Sequence, residues 1–145
     1  MDSDNIFMEG KADYNEKRDF TSLYCWQDAR IMKRFFYHKI IPRLPEEEKY
    51  NLNIQIRKAG DSSTANIAEG YGRYHYQEGI QFYRISRGST YELKDHLISC
   101  ADMDYIDERL FNEGIDLIEK SKISLNGFIN YVKKRKDNTN NPDKS

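Results

Sequence analysis

The chain has 145 residues, with 23 Lys and Arg against 24 Asp and Glu and a formal charge of -1. This length fits one domain with one hydrophobic core, and the even charge balance excludes a surface that is an electrostatic trap for phosphate everywhere, so any nucleic-acid contact must be local. No run of about 18 apolar residues exists, and the N-terminal stretch MDSDNIFMEGKADYNEK is too acidic and polar for a secretory signal. The cytoplasm is therefore the expected location, with no membrane partner.

Residues 1–19 carry no sustained periodicity and are rich in charge, which predicts a mobile arm. A first helix is expected over about 22–41, with Cys25, Ala29, Met32, Phe36 and Ile40 on its apolar face, and Pro42 and Pro45 to stop it. Pro45 followed by Glu46, Glu47 and Glu48 suits the start of a second helix, over about 46–70, because carboxylates favour the positive end of the helix dipole. Its inward positions read as Leu52, Ile56, Ala59, Ser63, Asn66 and Gly70, so the last half of the seam is polar. Gly70 and Gly72 offer the break.

A third helix is expected over about 76–103, with Phe82, Ile85, Ser89, Leu93, Leu97 and Cys100 along one stripe. Gly88 lies in its middle, at about 1 kcal/mol relative to alanine, which calls for close backbone packing or an interruption. The stripe keeps its phase across Gly88, which favours continuity. Asp107 is placed to cap a fourth helix, over about 108–136, with Phe111, Ile115, Ile118, Leu125, Ile129 and Val132 in a four-three rhythm that Lys122 interrupts. The remainder, 137–145, reads as a disordered tail. Short connections make neighbouring helices antiparallel, giving an all-α, up-down four-helix bundle. Cys25 and Cys100 lie in apolar helical patterns without metal-site spacing, as buried reduced thiols do.

No set of residues spells out a reaction. His75 with Glu78, and His96 with Cys100, could each form half of a metal site, but neither pair has the further ligands a site needs. Gly70-Tyr71-Gly72 lacks the lysine of a phosphate-cradling loop. The expectation is a protein that is not an enzyme, without metal, cofactor or small-molecule substrate.

Two features remain. Ser62, Asn66, Glu69, Arg73, Ser89 and Glu92 fall where bundle helices meet, and buried polar groups must pair, reach water or face a partner. They either pair across a close junction of the second and third helices or line a pore or subunit contact. Basic residues cluster at Lys33, Arg34, Lys39 and Arg43, at Arg84 and Arg87, and in the run Lys133, Lys134, Arg135 and Lys136. The last run is the leading candidate for RNA contact, although a basic last turn also complements the dipole at a helix C-terminus. Tyr71, Tyr74 and Tyr76 flank Arg73 and His75, a grouping that suits base stacking as well as a wet packing interface.

Gln55 to Ala59, Ser62, Asn66-Ile67-Ala68-Glu69-Gly70, Gly72-Arg73, Arg87-Gly88-Ser89 and Glu92-Leu93 together resemble the signature of the four-helix-bundle proteins encoded in 23S ribosomal RNA intervening sequences, over about residues 20–135. The resemblance implies a homopentameric ring without known catalytic activity, and a related group of accessory proteins of diversity-generating retroelements binds a reverse transcriptase and RNA. This chain departs from the pattern at Ser63, His75, Gly79 and Asp104. There the family usually has an apolar residue, a capping serine, a phenylalanine and a glycine. The expected function is an oligomeric scaffold or adaptor touching RNA or an RNA-handling protein. The alternative is a structural protein-interaction module without nucleic acid.

Overall fold

The computed structural model describes residues 19–140. The expected arm up to residue 18 and residues 141–145 of the expected tail lie outside them. Among the described residues the chain is all-α: α1 (Tyr24–Phe35), α2 (Leu52–Tyr71), α3 (Tyr76–Asp102) and α4 (Glu108–Asn140), with short helical turns between α1 and α2. None of these helices is long and apolar enough to cross a membrane.

Local chemistry sets the boundaries. Asp19 caps a short turn by accepting from the Thr21 N–H at 2.9 Å. Pro42 cannot donate to a carbonyl four residues back, and its ring would crowd that carbonyl. The chain accordingly leaves α1 through a widened π-helical turn at Phe36–Ile40 and a tight turn at Ile41–Arg43. The three glutamates form only a short turn, and α2 begins at Leu52 rather than near 46. Asn51 has a non-helical backbone there. Glu48 is engaged elsewhere, accepting from Asn51 Nδ2 at 3.0 Å and from the Tyr105 hydroxyl at 2.8 Å.

At its far end α3 closes with Tyr105 N–H donating to Cys100 O and Asp104 N–H to Ala101 O, around Asp104 at φ 59°. This is a Schellman closure, which ordinarily places glycine at the left-handed residue. Asp107 Oδ1 then accepts from the Leu110 N–H at 2.8 Å and caps α4. That helix continues past the expected end at 136 to Asn140.

The core divides into two apolar clusters. One gathers Met32, Phe36, Ile56, Leu93, Leu97 and Ile118. The other gathers Leu23, Ile67, Ile80, Tyr83, Phe128 and Ile129. Between them, α2, α3 and α4 pass small hydroxyl residues: Ser63, Ser86 and Thr90 are wholly buried, and Ser121 is nearly so. Ser86 Oγ donates to Ser63 O at 2.6 Å, Thr90 Oγ1 to Ser86 O at 3.0 Å and Ser63 Oγ to Gly60 O at 2.7 Å. Each of these three hydroxyls thus has a partner inside the core, as burial demands.

This hydroxyl layer corrects three sequence readings. The inward stripe of α3 runs through Tyr83, Ser86 and Thr90 before rejoining Leu93, while Phe82 lies at the edge and Ile85 is 51% exposed. In α2 the inward position is Ile67, and Asn66 is half-buried beside it. In α4 the stripe carries Leu110, Gly114 and Ser121, so Lys122 never interrupts it. Lys122 instead reaches Glu119 at 3.1 Å and lies over the Tyr91 ring. Following the greasiest side chain misplaced the phase wherever hydrogen-bonded hydroxyls fill the interior.

Candidate functional site

Ser62, Asn66 and Ser89 come together at the outer edge of the α2–α3 junction. Asn66 Nδ2 donates to Ser62 Oγ and to Ser62 O, both at 2.9 Å. Ser89 Oγ donates to Ile85 O at 3.1 Å and lies 2.6 Å from Ser62 Oγ. A hydroxyl has a single proton to give. With Ser89 donating to Ile85, Ser62 must donate to Ser89, so the bonds run in one direction from Asn66 through Ser62 and Ser89 to a backbone carbonyl.

Glu69 and Arg73 lie on the exposed continuation of this edge and pair with each other at 2.5 Å. Exposure and screening keep such a pair weak. Arg73 also covers the Phe82 ring at 4.7 Å. Glu92 is exposed and joins no hydrogen bond or ion pair among the described residues. The seam is therefore a three-residue network, with Glu69 and Arg73 beside it and Glu92 outside.

Gly70 and Gly79 explain the close approach of α2 and α3 at the end of this seam. A Cβ on Gly70 would lie 2.6 Å from the Tyr83 ring and 2.9 Å from Gly79 O, and one on Gly79 would lie 3.0 Å from Gly70 O. Bare backbone at both positions seats the Tyr83 ring between the helices. Above that ring opens a cleft of about 260 Å³. The α2–α3 turn contributes Tyr71, Arg73, His75 and Tyr76 to it, and α4 contributes Phe128, Tyr131, Val132 and Arg135. Tyr83 stands edge-on to Phe128 at 4.9 Å, and Phe128 stacks with Tyr131 at 6.4 Å. Burial raises the Tyr83 phenol above its ordinary value, so it stays protonated.

The basic candidates separate. Four consecutive helical residues point around the helix rather than along one face, so Lys133 to Lys136 do not form one patch. Arg135 alone of them lines the cleft, donating through Nε to the Tyr131 hydroxyl at 2.9 Å. Arg87 donates to Asn126 Oδ1 at 3.0 Å and ties α3 to α4, while Arg84 is exposed. On α1, Lys33 pairs with Asp61 at 3.1 Å, and in the π-helical turn that follows Lys39 pairs with Glu113 at 2.6 Å. Arg30, missed in the sequence, joins Lys33, Arg34 and His38 around a groove on α1, with Arg30 over Trp26 at 5.7 Å. Its three- and four-residue spacing to Lys33 and Arg34 was the available signal.

Cys25 and Cys100 are buried free thiols in different clusters, and burial pushes the Cys100 thiol up to about 11. No three His, Cys, Asp or Glu side chains among the described residues are grouped as metal ligands would be. His96 Nε2 is the one fully buried side-chain nitrogen or oxygen among the described residues without a hydrogen-bond partner.

A search of curated proteins finds no match. The family model described as 23S rRNA-intervening sequence protein matches residues 21–127. The matched segment contains the whole Ser62–Asn66–Ser89 network and both glycines of the α2–α3 contact, but stops short of the α4 wall of the cleft, which begins at Phe128. With most of its length matched, including the helices that build the seam, the chain belongs to the 23S rRNA-intervening sequence protein family.

Proposed function

We propose that this protein is a non-enzymatic, cytoplasmic scaffold or adaptor, an antiparallel up-down bundle that assembles with copies of itself as a pentameric ring and engages RNA or an RNA-handling protein such as a reverse transcriptase. The antiparallel arrangement is supported by the α2–α3 contacts. Partner numbers fall on one helix as they rise on the other, from Gly70 with Gly79, through Ser63 with Ser86, to Ser62 with Ser89.

The observation that carries the assembly reading is the outer edge of this junction. A directional polar network at Ser62, Asn66 and Ser89 stands beside Ile85, an isoleucine left 51% exposed on the same helix as Ser89. A saturated polar group beside an uncovered aliphatic one is the composition of a subunit contact. Mass measurement in solution tests it. The native chain is expected to be pentameric at micromolar concentration, and Ile85→Glu is expected to shift it to smaller species with little change in helicity. A native monomer refutes the ring.

RNA engagement is supported by the local basic groups, with Lys133, Lys134, Lys136 and Arg84 exposed or partly so and repeated on every subunit of a ring. Repetition raises avidity beyond what one copy supplies. Binding of structured RNA is expected to fall steeply with salt and to weaken when Lys133, Lys134 and Lys136 are changed to glutamine. No binding at low salt favours the second reading, a protein-interaction module without nucleic acid, which the formal charge of -1 supports.

A further inference from the structure

We infer that the cleft between the α2–α3 turn and α4 is a binding site for one nucleoside monophosphate unit, taken either as a free nucleotide or as an unstacked residue of a single strand. The inference deepens the RNA reading and rests on it for the strand-bound form alone.

Three properties of the cleft select this chemistry. Its walls are aromatic: Tyr76, 45% exposed, presents an open ring, while Phe128 and Tyr131, buried and stacked on each other, form the α4 side. An open aromatic face such as that of Tyr76 accepts a flat π-system without regard to its hydrogen-bonding edge. Among the described residues its lining carries the guanidinium groups of Arg73 and Arg135 and no carboxylate. Glu69, which pairs with Arg73, lies outside the lining. A guanidinium has five N–H donors in a fork matched to phosphate, so the Glu69 contact leaves Arg73 with donors to give.

The third property points inward. Tyr83 is 3% exposed, and its hydroxyl makes no hydrogen bond among the described residues but keeps an opening to the cleft. That hydroxyl reaches the cleft beside Gly79, 3.3 Å from where a Cβ would sit. A hydroxyl that meets only solvent at the cleft floor is available to the polar edge of an incoming ring. Flat ring, anionic group and polar ring edge occur together in a nucleotide. A volume of about 260 Å³ suits a single unit and not a stacked pair.

Titration calorimetry of the full chain with adenosine 5′-monophosphate, adenosine and inorganic phosphate tests the free form, and fluorescence anisotropy of a labelled single-stranded oligoadenylate tests the strand. The monophosphate is expected to bind, adenosine about ten-fold more weakly, and phosphate alone not detectably. Tyr76→Ala, on an exposed residue that leaves the core intact, and Arg73→Gln are each expected to weaken the monophosphate about ten-fold. Tyr83→Phe removes only the hydroxyl and is expected to weaken it several-fold at unchanged thermal midpoint.

Neutralising Lys133, Lys134 and Lys136 together is expected to weaken the strand and spare the monophosphate. Monophosphate affinity that is absent, or equal in native, Tyr76→Ala and Arg73→Gln proteins, overturns the site. A strand bound normally by those two variants overturns its strand-bound form and leaves RNA binding elsewhere. Monophosphate bound with no strand bound removes the RNA reading and establishes the cleft as a free-nucleotide site.

Discussion

The core half around Met32, Phe36, Leu97 and Ile118 is filled by aliphatic and phenyl groups up to the α3–α4 turn, whereas the half around Ile67, Ile80, Tyr83 and Phe128 ends in a cleft. Both halves use glycine at helix contacts, with opposite results. Gly114 admits Leu97 and Phe35 and the interior closes over it. Gly70 and Gly79 bring backbone against backbone, hold the Tyr83 ring at the contact, and leave its hydroxyl at the cleft with no hydrogen bond among the described residues. Close packing therefore does not imply a sealed interior. What matters is whether the group filling the gap can end flush, as a leucine methyl does, or carries a polar tip that needs somewhere to go.

Substitutions that add one methyl group test this difference directly. Gly70→Ala is expected to have the largest effect, about 3 kcal/mol of destabilisation in denaturant unfolding, because the new Cβ meets both a ring and the carbonyl of Gly79, which cannot rotate away. Gly114→Ala is expected to lose about 2 kcal/mol, since the nearest atoms, at 2.6 Å and 2.9 Å, belong to the ends of the Leu97 and Phe35 side chains and can partly yield. If Gly114→Ala proves the more damaging, the closed half is the more rigid one.

The hydroxyl layer between the halves is probed by Ser86→Ala. It removes the bond to Ser63 O and is expected to destabilise by about 1 kcal/mol. A neutral result would mean that the layer tolerates an apolar group of similar size. Gly88 is the contrasting glycine, with nothing within 4 Å of the point where a Cβ would sit. Gly88→Ala is expected to stabilise by up to about 1 kcal/mol, read as a higher thermal midpoint. Neither close packing nor an interruption of α3 accounts for that glycine, and the structure gives no reason for it.

Smallest is a pH effect at the rim of the closed half. Asp61 accepts from the Tyr37 hydroxyl and pairs with Lys33, and these contacts hold its carboxyl below the ordinary value. A lowered folded-state value stabilises the fold above the unfolded pKa, and that contribution is lost as pH falls through the folded one. Asp61→Asn is therefore expected to show a shallower loss of stability than the native chain below about pH 4. Equal acid sensitivity would show that the contact contributes nothing.

Helix periodicity was legible wherever apolar side chains mark the buried face, as in α1 and the π-helical turn after it, where Cys25, Ala29, Met32, Phe36 and Ile40 are all buried. The Asp107 cap of α4 was equally readable, because a carboxylate before a helical run has one common local use. In the seam, Ser62, Asn66 and Ser89 were legible as residues but not as a directional network, which depends on how protons are shared across two helices. The cleft was visible only in fragments. Tyr71, Arg73, His75 and Tyr76 stood out in one place and Arg135 in another, and nothing in their spacing says that α4 returns beside the α2–α3 turn.

The sequence by itself determined the all-α character, the Asp107 cap of α4 and the family signature in α2 and α3, because these depend on residues within a few positions of one another. The expected helix start at residues 45–48 does not form, and neither Gly70 nor Gly72 takes the left-handed backbone of a helix-ending glycine. Tertiary structure decided the phase of the buried stripe across Ser86 and Thr90, the pairing of Gly70 with Gly79, and the opening of the Tyr83 hydroxyl to the cleft. Each of these follows from a contact between residues distant in the chain, where a serine can be core and an isoleucine surface once hydrogen bonds, rather than hydrophobicity, settle which face turns inward.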